Sequence, residues 1–195
     1  MTNDKKQKSS FTKDSLLWSA LIPQFILLLL SIIWINFSPK DNVVNYFNID
    51  LWIISEGLLV GVGLAIAGYG FYIFCKKTKK LYATVELFEN LLAPAFSTLN
   101  SFDIITLSLF ASFCEEIFFR GLVLPKFSIF IASVAFGLLH LPGWKYWIYT
   151  LWATISGFVL GWLFIVSNSL WLPIIAHATN NIIGMFMLKK LKSNK

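Results

Sequence analysis

Long apolar segments separated by short polar ones dominate the chain. Six runs consist mainly of apolar residues, namely 16–37, 51–75, 104–124, 127–141, 146–166 and 170–188. An α-helix needs about 20 such residues to cross the ~30 Å hydrocarbon core of a bilayer. Only the run 127–141 falls well short of that length. The pattern predicts an all-α fold, a polytopic transmembrane helical bundle of about six spans.

One further segment, 81–99, is helical in character but too polar to span. It contains Glu86, Glu89, Asn90 and Pro94 among apolar residues. A helix with one polar and one apolar face lies in the interface between lipid and water. We therefore expect one interfacial helix in addition to the spans.

The positive charges define an orientation for this bundle. The chain carries 16 Lys and Arg against 10 Asp and Glu, and its lysines cluster in 5–13, 76–80 and 189–195. Such clusters mark the cytoplasmic side of a membrane protein. The charge therefore predicts an integral protein of the cytoplasmic (plasma) membrane with both termini inside, in contact with the lipid bilayer and not with nucleic acid.

These features divide the chain into four parts. Residues 1–15 form a cytoplasmic lysine-rich tail, and 16–100 form an N-terminal membrane region with two spans and the amphipathic helix. Residues 101–188 form the membrane core, and 189–195 a cytoplasmic basic tail. All candidate chemistry lies in the core.

A glutamate pair in the core is the first candidate site. Ionisable groups within a membrane are costly and mark functional sites. Glu116 and Arg120 are four residues apart, so they can pair on one helical face. Glu115 is turned about 100° away and is left as a candidate general acid or base. The alternative is that all three form a buried ionic network without chemistry.

Both histidines of the chain lie in later core segments. Phe136 and His140 share one helical face, although a single His near a helix end also fits an interfacial side chain. His177 and Asn181 are also four residues apart and can donate two hydrogen bonds to one oxygen, as an oxyanion site requires. We expect Asn180 to point elsewhere. Three polar faces in three helices argue for one shared site.

The ordered runs EEIFFRG (115–121), FGLLH (136–140) and HATNN (177–181) resemble the three motifs of a known family. This is the CPBP family, the CAAX protease and bacteriocin-processing group of intramembrane endopeptidases, also called Abi proteins. The resemblance covers roughly residues 103–188. It implies an intramembrane endopeptidase that acts on hydrophobic or lipidated peptides and proteins.

The resemblance also implies roles for the motif residues. Glu115 and His140 would activate a water that attacks a peptide carbonyl. His177 and Asn181 would stabilise the resulting oxyanion. The supporting residues would be Glu116, Arg120 and Phe136.

Three alternatives stay open from the sequence. Glu115, His140 and His177 are also a possible zinc ligand set with an open position. We favour no metal, because Asn181 is a poor zinc ligand but a natural oxyanion donor. A proton-coupled transporter would also contain buried Glu and His residues. A membrane immunity or binding protein would keep the fold without catalysis.

Overall fold

The computed structural model describes residues 12–38 and 43–193, and of residues 80 and 192–193 only the backbone. This part of the chain folds into seven helices and contains no strand. The predicted all-α fold is confirmed. Residues 1–11, 39–42 and 194–195 lie outside the described residues, and with them most of the predicted N-terminal tail and the end of the C-terminal one.

The first two helices are long and begin at capping residues. Helix α1 spans Lys13–Phe37 and α2 spans Leu51–Lys77. Thr12 and Asp50 precede them and accept hydrogen bonds from backbone N–H groups of the first turn. A short 3₁₀ turn, Val43–Tyr46, lies between the two helices.

The next two helices each contain a wider π-helical stretch. Helix α3 consists of Tyr82–Glu86, the π turns Leu87–Leu92, and Ala93–Phe96. A capping box of Asn100 and Asp103 starts the following helix. Helix α4 consists of Ser101–Glu116, the π turns Ile117–Val123, and Leu124–Lys126. π turns are rare and often occur at functional sites, and here they directly follow the glutamate pair.

Three helices complete the bundle. Helix α5 spans Ile129–Leu139, α6 spans Trp147–Ser167, and α7 spans Trp171–Ser193. Helix α6 ends at Asn168, whose left-handed backbone (φ 50°) turns the chain into α7.

Four helical stretches are long and apolar enough to cross a membrane: Lys13–Phe37, Leu51–Lys77, Trp144–Ser167 and Trp171–Leu191. Their outer surfaces carry large apolar side chains, such as Leu59 and Ile66, each 66% exposed. A soluble protein rarely exposes so much apolar surface. The chain is therefore an integral membrane protein.

The prediction of about six spans is confirmed only for these four. Helix α4 is interrupted by its π turns, so it is not one long α-helix. Helix α5 has 11 residues, which rise about 16 Å, roughly half of the hydrocarbon core. The segment 127–141 is therefore too short to cross as a straight helix.

The predicted interfacial segment 81–99 is helical, as α3. Its two acidic residues form ion pairs with neighbouring helices: Glu86 with Lys145 (2.6 Å) and Glu89 with Lys76 (3.1 Å). Its apolar side packs on the bundle, where Val85 and Leu87 are buried. Its depth in the membrane stays a prediction.

Small residues allow the closest helix contacts. A Cβ atom at Gly61 of α2 would lie 2.6 Å from the Ala176 carbonyl oxygen of α7, and one at Gly57 would lie 2.8 Å from Ile175 Cβ. Gly157 of α6 meets α5 in the same way, at Ser133. Close backbone contact of this kind is typical of membrane helices. These contacts fix α7, which carries the third motif, against α2.

Most of the described lysines lie at one end of the bundle, whereas Lys126 lies at the other, at the end of α4. Lys13 pairs with Asp103 at 2.7 Å, and Lys189 donates to the Leu99 carbonyl at 2.5 Å. The start of α1, the start of α4 and the end of α7 therefore meet. At the opposite end, Leu170 N–H donates to the Tyr46 carbonyl at 2.7 Å. The side of the membrane that each end faces stays a prediction.

Candidate active site

Glu116 and Arg120 form an ion pair in the centre of the bundle. Arg120 Nη1 donates to Glu116 Oε1 at 2.9 Å, and both side chains are fully buried. The contact is the one that their spacing predicts. Separating two such charges would leave one of them unpaired in an apolar interior, which is strongly unfavourable.

Arg120 also links α4 to two other helices. Its Nη2 donates to the Gly157 carbonyl of α6 at 3.0 Å. Its guanidinium lies 4.4 Å from the centre of the Phe136 ring of α5. A cation over an aromatic face is attracted to it. The only arginine of the chain therefore holds α4, α5 and α6 together around the site.

His177 of α7 approaches the same glutamate. Its Nδ1 lies 2.8 Å from Glu116 Oε1, the oxygen that also accepts from Arg120. An ionised carboxylate can only accept, so the proton of this bond belongs to His177 Nδ1. His177 Nε2 is thereby turned away from Glu116, and it lies 4.0 Å from Glu115 Oε2.

Glu115 has a different set of neighbours. Its Oε1 accepts a hydrogen bond of 2.8 Å from Gln24 Nε2 of α1. Its Oε2 lies 3.7 Å from His140 Nε2 and, within the described residues, accepts no hydrogen bond. A buried acceptor without a donor is costly. Glu115 Oε2 shares this property with Glu116 Oε2 and Gln24 Oε1, but it is the oxygen that faces the imidazole nitrogens of both histidines.

His140 follows the last residue of α5 and is oriented by its own helix. Its Nδ1 lies 2.8 Å from the Phe136 carbonyl oxygen, and because a carbonyl can only accept, Nδ1 carries the proton. Nε2 then has a free lone pair towards Glu115. The Phe136 ring lies beside both imidazoles, 4.5 Å from that of His140 and 5.6 Å from that of His177.

Asn181 lies one turn beyond His177 and lines the same cavity. Its neighbour Asn180, for which the sequence predicts a different direction, lines that cavity too. Asn180 Nδ2 donates to Asn181 Oδ1 at 3.4 Å. This bond engages the acceptor of Asn181 and leaves its Nδ2 hydrogens for another partner. The expectation that Asn180 points elsewhere is wrong.

These side chains share a cavity of about 490 Å³. Its polar lining groups around the cluster are Gln24, Glu115, His140, His177, Asn180 and Asn181. Its remaining walls are mainly aromatic and aliphatic and extend towards the lysine-bearing end, for example Tyr69, Phe88, Tyr149, Trp152 and Met185. A few polar groups at one side of an apolar cavity are typical of a binding site for an apolar ligand.

The alternative zinc ligand set finds no support in this geometry. Among the described residues, no group of three or more His, Cys, Asp and Glu side chains is arranged to hold a metal ion. Glu115 Oε2 is 3.7 Å from one imidazole nitrogen and 4.0 Å from the other. Donors around a tetrahedral zinc lie closer together, since each is about 2.0–2.2 Å from the metal.

Gln24 is the member of the cluster that sequence reasoning missed. The structure brings together all seven predicted site residues, from three motifs, and adds this residue of α1 to them. The available signal was weak: Gln24 is the one amide in an otherwise apolar stretch of α1. Its contact with Glu115 joins residues 91 positions apart, which no local pattern reveals.

Comparisons with known proteins are consistent with this geometry. Residues 97–183 match the family described as "Type II CAAX prenyl endopeptidase Rce1-like". The chain is also similar to "Uncharacterized protein YpbD" of Bacillus subtilis (strain 168), with 32% identity over 82 residues. That match covers 42% of this chain and 43% of the relative. No solved structure matches the chain.

Proposed function

We propose that the protein is an intramembrane endopeptidase, because residues 97–183 match the family described as "Type II CAAX prenyl endopeptidase Rce1-like". It hydrolyses peptide bonds of membrane-associated or hydrophobic peptide and protein substrates. One observation carries the proposal: Glu115 Oε2, an acceptor without a donor, lies 3.7 Å from His140 Nε2, whose lone pair is also free.

Two free acceptors at this separation favour a water molecule as their common partner. A water about 2.8 Å from each atom would donate one hydrogen to Glu115 and one to His140. Its lone pair is then directed away from both and towards a substrate carbonyl. As the water attacks, the proton passes to Glu115 or His140, which acts as the general base. The same group returns it to the leaving amine.

His177 and Asn181 complete the reaction as donors to the oxyanion. Glu116 accepts from His177 Nδ1 and thereby fixes the orientation of that imidazole. A protonated Nε2 then donates to the negative oxygen that forms on the substrate. The Asn181 Nδ2 group provides a second donor. Fixed donors of this kind, in a site without bulk water, contribute strongly to catalysis.

Glu116, Arg120 and Phe136 support this arrangement, Glu116 and Arg120 from behind the cavity and Phe136 from its wall. The ion pair fixes the part of α4 that carries Glu115, and its contacts with Gly157 and Phe136 fix α6 and α5. Together the charged groups are nearly balanced, because two carboxylates face one guanidinium and the imidazole that takes up a proton. We assign these three residues to positioning.

The cavity walls support a hydrophobic substrate. Phe88, Tyr149 and Trp152 provide apolar surface, and no lysine or arginine is among the lining residues in the part of the chain whose side chains are described. A segment with apolar side chains, or with an attached lipid, would bury that surface favourably. We propose that the peptide enters through the part of the cavity under α3, and that both termini of the protein face the cytoplasm.

Cleavage of a quenched fluorescent peptide library by the detergent-purified full chain tests the proposal. The wild type is measured beside Glu115→Gln and His140→Ala, each with and without a chelator. We expect cleavage by the wild type and loss of cleavage in both variants. No cleavage by correctly folded wild type of soluble, hydrophobic or lipidated peptides would contradict the proposal and favour a non-catalytic or transport function.

A further inference from the structure

Gln24 of α1 lies outside the residues that match the family, and yet it contacts the central glutamate. Its side chain is only 7% exposed, in the middle of an apolar helix. Its Nε2 donates to Glu115 Oε1 at 2.8 Å. Gln24 also lines the cavity that contains His140, His177 and Asn181.

The direction of this amide follows from its partner. An ionised carboxylate offers only acceptors, so the NH₂ group of Gln24, and not its oxygen, must face Glu115. Gln24 Oε1 then points elsewhere, and within the described residues it has no hydrogen-bond partner. Gln24 therefore donates a hydrogen bond to Glu115, while its own acceptor, Oε1, is buried without a donor among the described residues.

This imbalance argues against a purely structural role. A buried amide that leaves one acceptor unpaired loses part of what its other hydrogen bond contributes. An aliphatic side chain such as Leu or Met would fill the same volume of an apolar helix without that loss. The contact with Glu115 is therefore the property that distinguishes Gln24 from an apolar residue.

The effect of the contact is to distinguish the two oxygens of Glu115. Oε1 is held by Gln24, and Oε2 is left towards the two histidines, 3.7 Å from His140 and 4.0 Å from His177. Without Gln24, nothing else among the described residues donates to Glu115. The carboxylate could then rotate about its terminal torsion, which has broad energy wells.

We propose that Gln24 is a positioning residue of the active site, which holds Glu115 Oε1 so that Oε2 faces the attacking water beside His140. This inference rests on the proposed endopeptidase function. It extends the site beyond the matched residues 97–183 to the N-terminal helix. A chain without α1 would therefore carry all three motifs and still lack a correctly held general base.

Three substitutions at Gln24 test this in the full-length protein. Gln24→Met keeps the length of the side chain, Gln24→Leu approximates its volume, and Gln24→Asn keeps the amide but shortens its reach. Ser31→Ala is the matched control: Ser31 is a buried polar residue of α1, two turns further on, and its hydroxyl bonds only to its own helix at Leu27. Each protein is assayed for kcat, KM and thermal unfolding on the peptide that the wild type cleaves best.

For Gln24→Met and Gln24→Leu we expect kcat to fall roughly 10- to 100-fold, as misplacement of a catalytic group does. KM should change less than about twofold, since the described contact of the Gln24 amide is with Glu115, and the unfolding temperature should be unchanged or higher. The kcat of Gln24→Asn should lie between that of these variants and that of the wild type. Ser31→Ala should match the wild type.

Three results would overturn the inference, and they are distinguishable. If the wild type cleaves and both apolar variants cleave equally well, Gln24 has no positioning role while the proposed function stands. If kcat falls only in variants whose unfolding temperature also falls, the role of Gln24 is structural. The positioning role then fails while the proposed function stands. If the wild type cleaves no peptide, the proposed function fails and this inference fails with it.

Discussion

The two adjacent glutamates of α4 have the same chemistry and opposite surroundings. Glu116 Oε1 accepts from Arg120 and from His177, and the side chain is completely buried. Glu115 accepts one hydrogen bond, from Gln24, and its second oxygen lines up with His140 across the cavity. Each carboxylate leaves its Oε2 without a hydrogen bond among the described residues, but Glu116 Oε1 has charged partners, whereas Glu115 Oε2 faces the two imidazoles. The difference lies in the partners of each carboxylate, from its own helix for Arg120 and from other helices for His177, His140 and Gln24, and not in the residue type.

The strongest test of this contrast is Glu115→Gln. The exchange keeps the shape and the contact with α1 but removes the base, so we expect kcat to fall about 10⁴-fold, the upper range for a general base. The unfolding temperature should not fall, because the substitution removes a buried charge. Activity on the best library peptide and thermal unfolding in detergent measure the two effects.

Glu56→Gln is the control for that substitution. Glu56 lies in α2 and is not among the cavity-lining residues. The same exchange of Glu for Gln can therefore be made there outside the site. We expect wild-type activity from it. A Glu115→Gln protein that kept a tenth or more of wild-type activity would contradict the assignment of Glu115 as the base.

Arg120→Met tests the surroundings of the other glutamate, Glu116. Removal of one partner of a buried ion pair leaves Glu116 poorly compensated, and such changes cost about 3–5 kcal/mol of the free energy of unfolding. Chemical unfolding in mixed micelles measures the loss. The double substitution Glu116→Gln with Arg120→Met should recover part of it, because no unpaired charge remains. If the double variant is no more stable than the single one, the ion pair is not the reason for the loss.

Asn181→Ala should have a smaller effect than Glu115→Gln or Arg120→Met. Loss of one oxyanion donor lowers kcat about 10²- to 10³-fold in well-studied enzymes, and we expect the lower part of this range because His177 remains. Stability should change little, since Asn181 is only half-buried. Asn36→Ala, on the exposed part of α1, is the control. A rise in KM of the same size with no change in kcat would instead assign Asn181 to substrate binding.

Chelation should have the smallest effect of all. The proposed water activation uses Glu115 and His140 alone, so activity of the purified protein should survive prolonged treatment with a strong chelator. Kinetic assay before and after treatment, with added zinc as a separate arm, measures this. Loss of activity that zinc alone restores would overturn the metal-free mechanism and place both histidines and Glu115 around a metal.

Local patterns in the sequence predicted most of the fold because hydrophobic runs reflect the membrane directly. They could not predict the two π stretches, since the residues Ile117–Val123 have no unusual helix propensity. The motif residues were predictable by their spacing of four, which places Glu116 with Arg120 and His177 with Asn181. Gln24 and Asn180 were not, because their contacts depend on how separate helices pack and rotate, which is decided by tertiary structure.

The position of α7 in the chain has a consequence for biosynthesis. Helices emerge and insert in order from the N-terminus, and α7 comes after all the other helices of the bundle. Until α7 inserts, Glu115 and Glu116 have no contact with His177. The surface of α2 at Gly57 and Gly61, on which α7 packs, is also uncovered until then. A nascent chain that has not yet inserted α7 therefore lacks the imidazole partner of Glu116. Under the proposed function, the site is complete only once α7 has docked against α2.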